Sequence, residues 1–240
     1  MKSQERHQLK QDEFVVRATH VAAQFAENRR RWMMGIGAVV VIGAVVGGYL
    51  YFQSRAKDAA SALLGAALQI EQAPIVPAPT VPGAVQQAGT YPTEAARGEA
   101  AIAAYQTVID TYPSAETGTA GRYHLGTVYL RLGRAADAER AFAEAVERGG
   151  TSVYAEMAKM GQVEALTAQS KYDEAIRILT DLSGLRDGVV PVDGVLMELA
   201  RVCRRAGKTE EARAAFKRVV DEFPESPYAT DARQQLATMG

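Results

Sequence analysis

The chain has 240 residues, 48% of them apolar but only 7% aromatic, and a formal net charge of -1. So few rings among so many small apolar side chains point to alanine-rich helices in close contact. The lone cysteine, Cys203, excludes an internal disulfide and argues against a cysteine-based metal or redox site; beyond residue 52 there are 20 Lys/Arg against 24 Asp/Glu, which argues against nucleic acid as a partner.

Residues 1–31 form a basic tail with seven Lys/Arg and four Asp/Glu. Within it Phe14, Ala18, Val21 and Phe25 recur at helical spacing, which predicts an amphipathic helix over about residues 11–28. Its apolar stripe needs cover, either the cytoplasmic face of a lipid bilayer or a cytoplasmic partner. Residues 32–52 then run for 21 positions without a charge. At ~1.5 Å per residue such a helix crosses a hydrocarbon core of about 30 Å, so this segment reads as a transmembrane helix. Trp32 at one end and Tyr49, Tyr51 and Phe52 at the other suit the headgroup layers, and Arg29, Arg30 and Arg31 end the span. The basic excess before it puts the N-terminus in the cytoplasm and the bulk of the chain across the membrane. A cleaved signal peptide is the competing reading, but the leading region and the apolar run both exceed the usual lengths. Gly43 and Gly47 make a GxxxG pair that suits close packing of a second span, hence a homo-oligomer; alternatively the five glycines of the span only make a loosely packed anchor.

Residues 53–72 continue as a helix striped by Ala56, Ala60, Leu63, Ala67 and Ile70. Residues 73–92 hold five of the nine prolines and no charge, which predicts an exposed loop. From residue 93 to 240 the chain repeats itself. Alanine recurs at 101, 138, 175 and 212, a period of 37. Four residues after each alanine stand Tyr105, Phe142, Leu179 and Phe216, and seven after stand Val108, Ala145, Leu182 and Val219. Every copy therefore presents an i, i+4, i+7 stripe whose first member is small, and a strict period of this size signals a solenoid. Preceding helices are predicted at 123–132, 156–168 and 195–205, with Gly133, Ser170 and Gly207 at the joins. A glycine just past a helix end supplies the left-handed cap that lets the next helix fold back. The unit is thus an antiparallel helix pair, whose small residue allows an approach of ~8–10 Å. The first unit keeps only its second helix, at about 93–111, so its partner is expected from 53–72. Ser226 and Pro227 predict the N-cap and first turn of a closing helix over 228–238.

These positions resemble the tetratricopeptide repeat. Leu125, Gly126, Tyr129, Gly133, Ala138, Phe142 and Ala145 follow its pattern of Leu-Gly, Tyr, Gly, Ala, aromatic and Ala. Leu199, Ala200, Gly207, Ala212, Phe216 and Pro224 follow it well, while the unit with Ser170, Ala175 and Leu179 is degenerate. The period exceeds the family's usual ~34, implying longer turns and an altered superhelical pitch. The resemblance implies an all-α chain, one transmembrane helix followed by a TPR-like α-solenoid. The order of parts resembles the bacterial inner-membrane tetratricopeptide proteins of the ancillary SecYEG translocon subunit (YfgM-like) type. That resemblance implies a periplasmic, chaperone-like scaffold that docks beside the translocon and engages polypeptides emerging from it. An accessory structural subunit of another membrane complex, or a periplasmic protein linked to envelope or division machinery, are the alternatives.

Little in the chain suggests chemistry. His7 and His20 precede the span and His124 follows it, so no metal-ligand spacing exists, and His124 reads as a surface residue. Glu210 with Glu211, and Asp173 with Glu174, open second helices, where carboxylates complement the dipole. Without a phosphate loop, a GxSxG or a Cys/His constellation, no catalytic, cofactor or metal site is expected, and the chain is not read as an enzyme. What remains is binding to protein partners. In the family the first helices of successive units line a groove, which carries over to Tyr123 and Thr127, to Met157, Met160 and Glu164, and to Met197, Arg201 and Arg204. Methionine adapts to varied apolar partners and arginine holds carboxylates. The other reading of Met157 and Met160 is packing between neighbouring helices. The Lys and Asn arrangement with which some relatives clamp a C-terminal carboxylate is absent from the matching places.

Overall fold

The computed structural model describes residues 29–80, 85–185 and 188–239; the amphipathic stretch predicted at 11–28, with His7 and His20, lies outside them. The described residues are helical, α1 (Arg29–Glu71), α2 (Glu94–Thr111), α3 (Glu116–Arg131), α4 (Ala135–Gly149), α5 (Val153–Ala168), α6 (Tyr172–Leu182), α7 (Val192–Arg205), α8 (Thr209–Glu222) and α9 (Ala229–Thr238). The chain divides into two compact units, Met1–Asp58 and Ala59–Gly240. In the first, α1 exposes apolar side chains on all sides, Val39 at 70%, Val45 at 66% and Phe52 at 76% among them. A helix apolar all round needs an apolar medium, and this one is long and apolar enough to cross a membrane.

The second unit is built on the 37-residue period. All twelve stripe residues are buried, the four alanines at 0% exposure and Tyr105, Phe142, Leu179 and Phe216 at 1% or less. With no side chain beyond Cβ, each alanine lets its second helix lie close against the first. The joins behave as the pattern requires: Gly133, Ser170 and Gly207 take φ values of 72°, 61° and 76°. In each, the chain turns back through a bond from Arg134 N to Tyr129 O, Lys171 N to Leu166 O, and Lys208 N to Cys203 O, at 2.8, 2.9 and 2.9 Å. Ser152 and Thr93 cap α5 and α2 by accepting from Ala155 N and Ala96 N.

The first helices start earlier than periodicity predicts. α3 opens at Glu116, not 123, because Gly118, Thr119, Ala120 and Gly121 are buried against the end of α2. A Cβ at Gly121 would lie 3.2 Å from Val108 Cγ1, so packing selects a poor helix former there. The closing helix begins one residue late, at Ala229; Pro227 stands in the turn before it, and Ser226 Oγ accepts from Tyr228 N at 3.1 Å. The end of α1 packs into the first apolar cluster: Ala67 is 1% exposed in the same cluster as Ala101 and Tyr105, flanked by Leu63, Leu64 and Ile70. The Pro-rich stretch joins α1 to α2 as a loop whose ends are tied. Ile75 bridges Tyr91, Gln86 Nε2 donates to Val76 O at 2.9 Å, and Arg97 Nη1 donates to Ala73 O at 3.0 Å.

Candidate functional site

Helices α3, α5 and α7, the first members of three successive units, line a cleft of about 940 Å³. Its floor includes Phe142, which α4 pushes up between α3 and α5. A Cβ at Gly126 would come within 2.7 Å of that ring and one at Gly161 within 2.5 Å, so both glycines are required for it to fit. Met157, Met160 and Glu164 share a face of α5 at spacings of three and four, and all three line the cleft. Tyr123 and Thr127 do the same from α3, with Thr127 Oγ1 turned back to Tyr123 O at 3.1 Å. From α7 come Met197, Glu198, Arg201 and Arg205, and beyond them Pro227 and Tyr228 close the far end.

Seven of the eight residues singled out for the groove thus meet in one place. They are not equally available. Met197 is 1% exposed and packed among Leu196, Ala200 and Phe216, whereas Met157 and Met160 are half-buried and offer side-chain surface. Arg204 turns away to donate to Gln235 of α9, and Arg205 lines the cleft in its stead. Arg201 is held between Asp231 at 3.2 Å and Glu198 at 3.8 Å, and Asp193 accepts from Ser226 Oγ at 2.6 Å. Glu164 and Arg205 are exposed and have no hydrogen-bond or ion-pair partner among the described residues. Burial pushes the Tyr123 phenol up; the hydrogen bond with Thr127 opposes this, and the negative charges of Glu71 and Glu164 add to it.

Periodicity did not reveal the most heavily bonded carboxylate. Glu71, the last residue of α1, is 9% exposed, with Arg131 Nη2 at 2.8 Å from Oε1, His124 Nδ1 at 3.5 Å from Oε2, and the Tyr105 hydroxyl donating to Oε2. Burial works to raise its pKa, but hydrogen bonds from His124 and Tyr105 and the Arg131 charge prevail and hold it at about 2. Burial, then the Glu71 hydrogen bond, push the Tyr105 phenol well up. His124 is therefore not the surface residue expected from sequence: it stacks on Tyr105 at 5.5 Å and meets Tyr154 at 6.0 Å. One signal was visible, since a carboxylate at a helix C-terminus opposes the dipole and needs a partner. No group of three or more potential metal ligands occurs among the described residues.

Antiparallel helix pairs stacked at a fixed period around a shared cleft define an α-solenoid of the helical-repeat class. Two family models described as tetratricopeptide repeat match, one over residues 94–152 and again over 123–183, the other over 166–236. The chain carries tetratricopeptide repeats across these residues. A putative kinesin light chain from Podosopora anserina with nearly identical TPR-like repeats is similar in structure, with a TM-score of 0.52 and 16% identity over 60% of this chain and 77% of that one. A crystal structure of MamA gives 0.49 at 20% identity over the same shares. The first likeness, at 16% identity, shows the fold alone. Comparison with curated proteins gives no match.

Proposed function

We propose that the chain is a membrane-anchored scaffold whose cleft receives a peptide segment of a protein partner. The observation that carries this reading is the convergence of Tyr123, Met157, Met160 and Glu164 on one 940 Å³ cleft with an apolar floor and a polar rim. That volume lies toward the upper end of what ligand sites enclose, and methionine-lined surfaces suit varied apolar side chains. α1 is the anchor: its apolar faces have no cover among the described residues, and open space around Gly43 and Gly47 leaves room for a second span. The basic tail sets the orientation, N-terminus in the cytoplasm and repeats across a bacterial inner membrane in the periplasm. There the scaffold stands beside a translocon and holds emerging polypeptides, a chaperone-like task that needs no catalysis.

A photo-crosslinking residue placed at Met160 in cells should trap polypeptides that the same residue at exposed Lys217 does not. Crosslinks confined to the tail, from Val21, would overturn the groove reading and leave a subunit held by its anchor. Copurification in mild detergent without translocon subunits would overturn the placement beside that complex.

A further inference from the structure

Beside the cleft, α3 and α5 bring three rings together. Tyr123 lies 5.3 Å from His124 and 5.8 Å from Tyr154, and His124 lies 6.0 Å from Tyr154. All three are half-buried, so each keeps part of its surface open to solvent. The charge near them is unbalanced. Arg131 is engaged by Glu71 at 2.8 Å. Glu164, on the cleft lining of α5, is exposed and has no hydrogen-bond or ion-pair partner among the described residues. It is the charged residue that α3 and α5 contribute to that lining; the unpaired cation of the cleft, Arg205, comes from α7, which contributes none of these rings. Burial pushes the Tyr123 phenol up, and the negative charges of Glu71 and Glu164 add to it, so both carboxylates are within electrostatic reach of that ring.

We propose that this aromatic face of α3 and α5, with the Glu164 carboxylate on the same side of the cleft, receives an arginine side chain of the partner polypeptide. The proposal rests on the groove reading above and adds to it a chemical requirement on the occupant. A cation is attracted to the face of a ring within about 6 Å of its centroid. Arginine suits the place better than lysine, because its planar guanidinium stacks on a ring while its fork of N–H donors reaches a carboxylate. The same fold makes that combination internally: the Arg134 guanidinium lies over the Tyr129 ring at 4.6 Å while its Nε donates to Asp137 at 2.7 Å. A quaternary ammonium headgroup of a lipid would meet the rings but has no N–H to give to Glu164.

The test uses the full chain in a non-ionic detergent and two synthetic, fluorescein-labelled dodecapeptides with the same Leu and Trp centre. They differ at one residue, arginine in the first and citrulline, of the same length but uncharged, in the second. Anisotropy titrations should show about a tenfold preference for the arginine peptide, as one ring contact and one partly exposed ion pair together supply. E164Q, which alters an exposed side chain, should reduce the preference to about threefold, and Y154L should do the same by removing a ring. A preference undiminished in E164Q overturns the proposal by itself, whether or not Y154L folds. Equal binding of the two peptides leaves the groove standing and removes the arginine site; binding of neither removes both. Phosphocholine at millimolar concentration should leave the arginine peptide bound, and its displacement would overturn the assignment to a polypeptide in favour of a lipid headgroup.

Discussion

At the scale of single residues, two side chains set the terms. Glu71 buries a charge, which costs free energy unless several donors surround it, and Tyr105, His124 and Arg131 do so from two helices. Its carboxyl is held at about 2 against an ordinary 4.5, so its contribution is fully present above pH 4.5 and is lost as pH falls through about 2. The shift corresponds to roughly 3 kcal/mol. Glu71→Gln should accordingly lower stability at pH 7 by about that amount and flatten the dependence between pH 4.5 and 2, read by circular dichroism in urea. A wild-type curve already flat there would refute the assignment. Phe142 is the second case. Gly161→Ala places a methyl within 2.5 Å of its ring and should cost about 1–3 kcal/mol in thermal unfolding, with the cleft floor displaced.

At the scale of elements, the joins show how far pattern alone reaches. Gly133, Ser170 and Gly207 were legible because the period put them in register, and all three are left-handed. A serine there is strained by ~1–2 kcal/mol relative to glycine. Ser170→Gly should raise the melting temperature of the repeat domain by about 2–4 °C, and no rise in calorimetry would count against strain at that join. The second helices were equally legible, since the small-aromatic-aliphatic stripe survives even in the degenerate copy, as Ala175, Leu179 and Leu182. Starts of first helices were not. Gly118 and Gly121 are poor helix formers, and contact with the end of α2 selects them there. The cleft residues came from the resemblance to the tetratricopeptide repeat, whose first helices line a groove, and seven of the positions carried over line the cleft. Arg205 could not be told from Arg204, because that choice depends on α9, whose Gln235 draws Arg204 away. Glu71 was hidden for a related reason. Its partners lie 34, 53 and 60 residues further on, and no local pattern links them.

Across the whole molecule, the interior of the repeat domain is divided. One apolar cluster runs from Ala67 to Ala165, a second gathers around Leu179 and Val195, and a third around Phe216 and Ala232. Stacked units of this kind hold together through neighbours only. Ala138→Leu, overpacking the first cluster, should therefore raise hydrogen exchange in α2 to α5 while α8 and α9 keep their protection. Uniform loss of protection along the chain would show a single cooperative core instead.

The loop that joins α1 to α2 has a practical side. Residues 73–92 include no lysine or arginine, and the basic residues that bracket them, Lys57 and Arg97, both sit in helices, Arg97 engaged with Glu94 at its own helix start. Trypsin consequently has no cleavage site in the longest connection of the repeat domain. A protease that cuts after alanine or valine does, and its nick leaves residue 71 and residue 105 on separate fragments. The end of α1 and the later helices of the same unit would then be held by a carboxylate, a phenol, an imidazole, a guanidinium and the packing around Ala67, with no peptide bond between them.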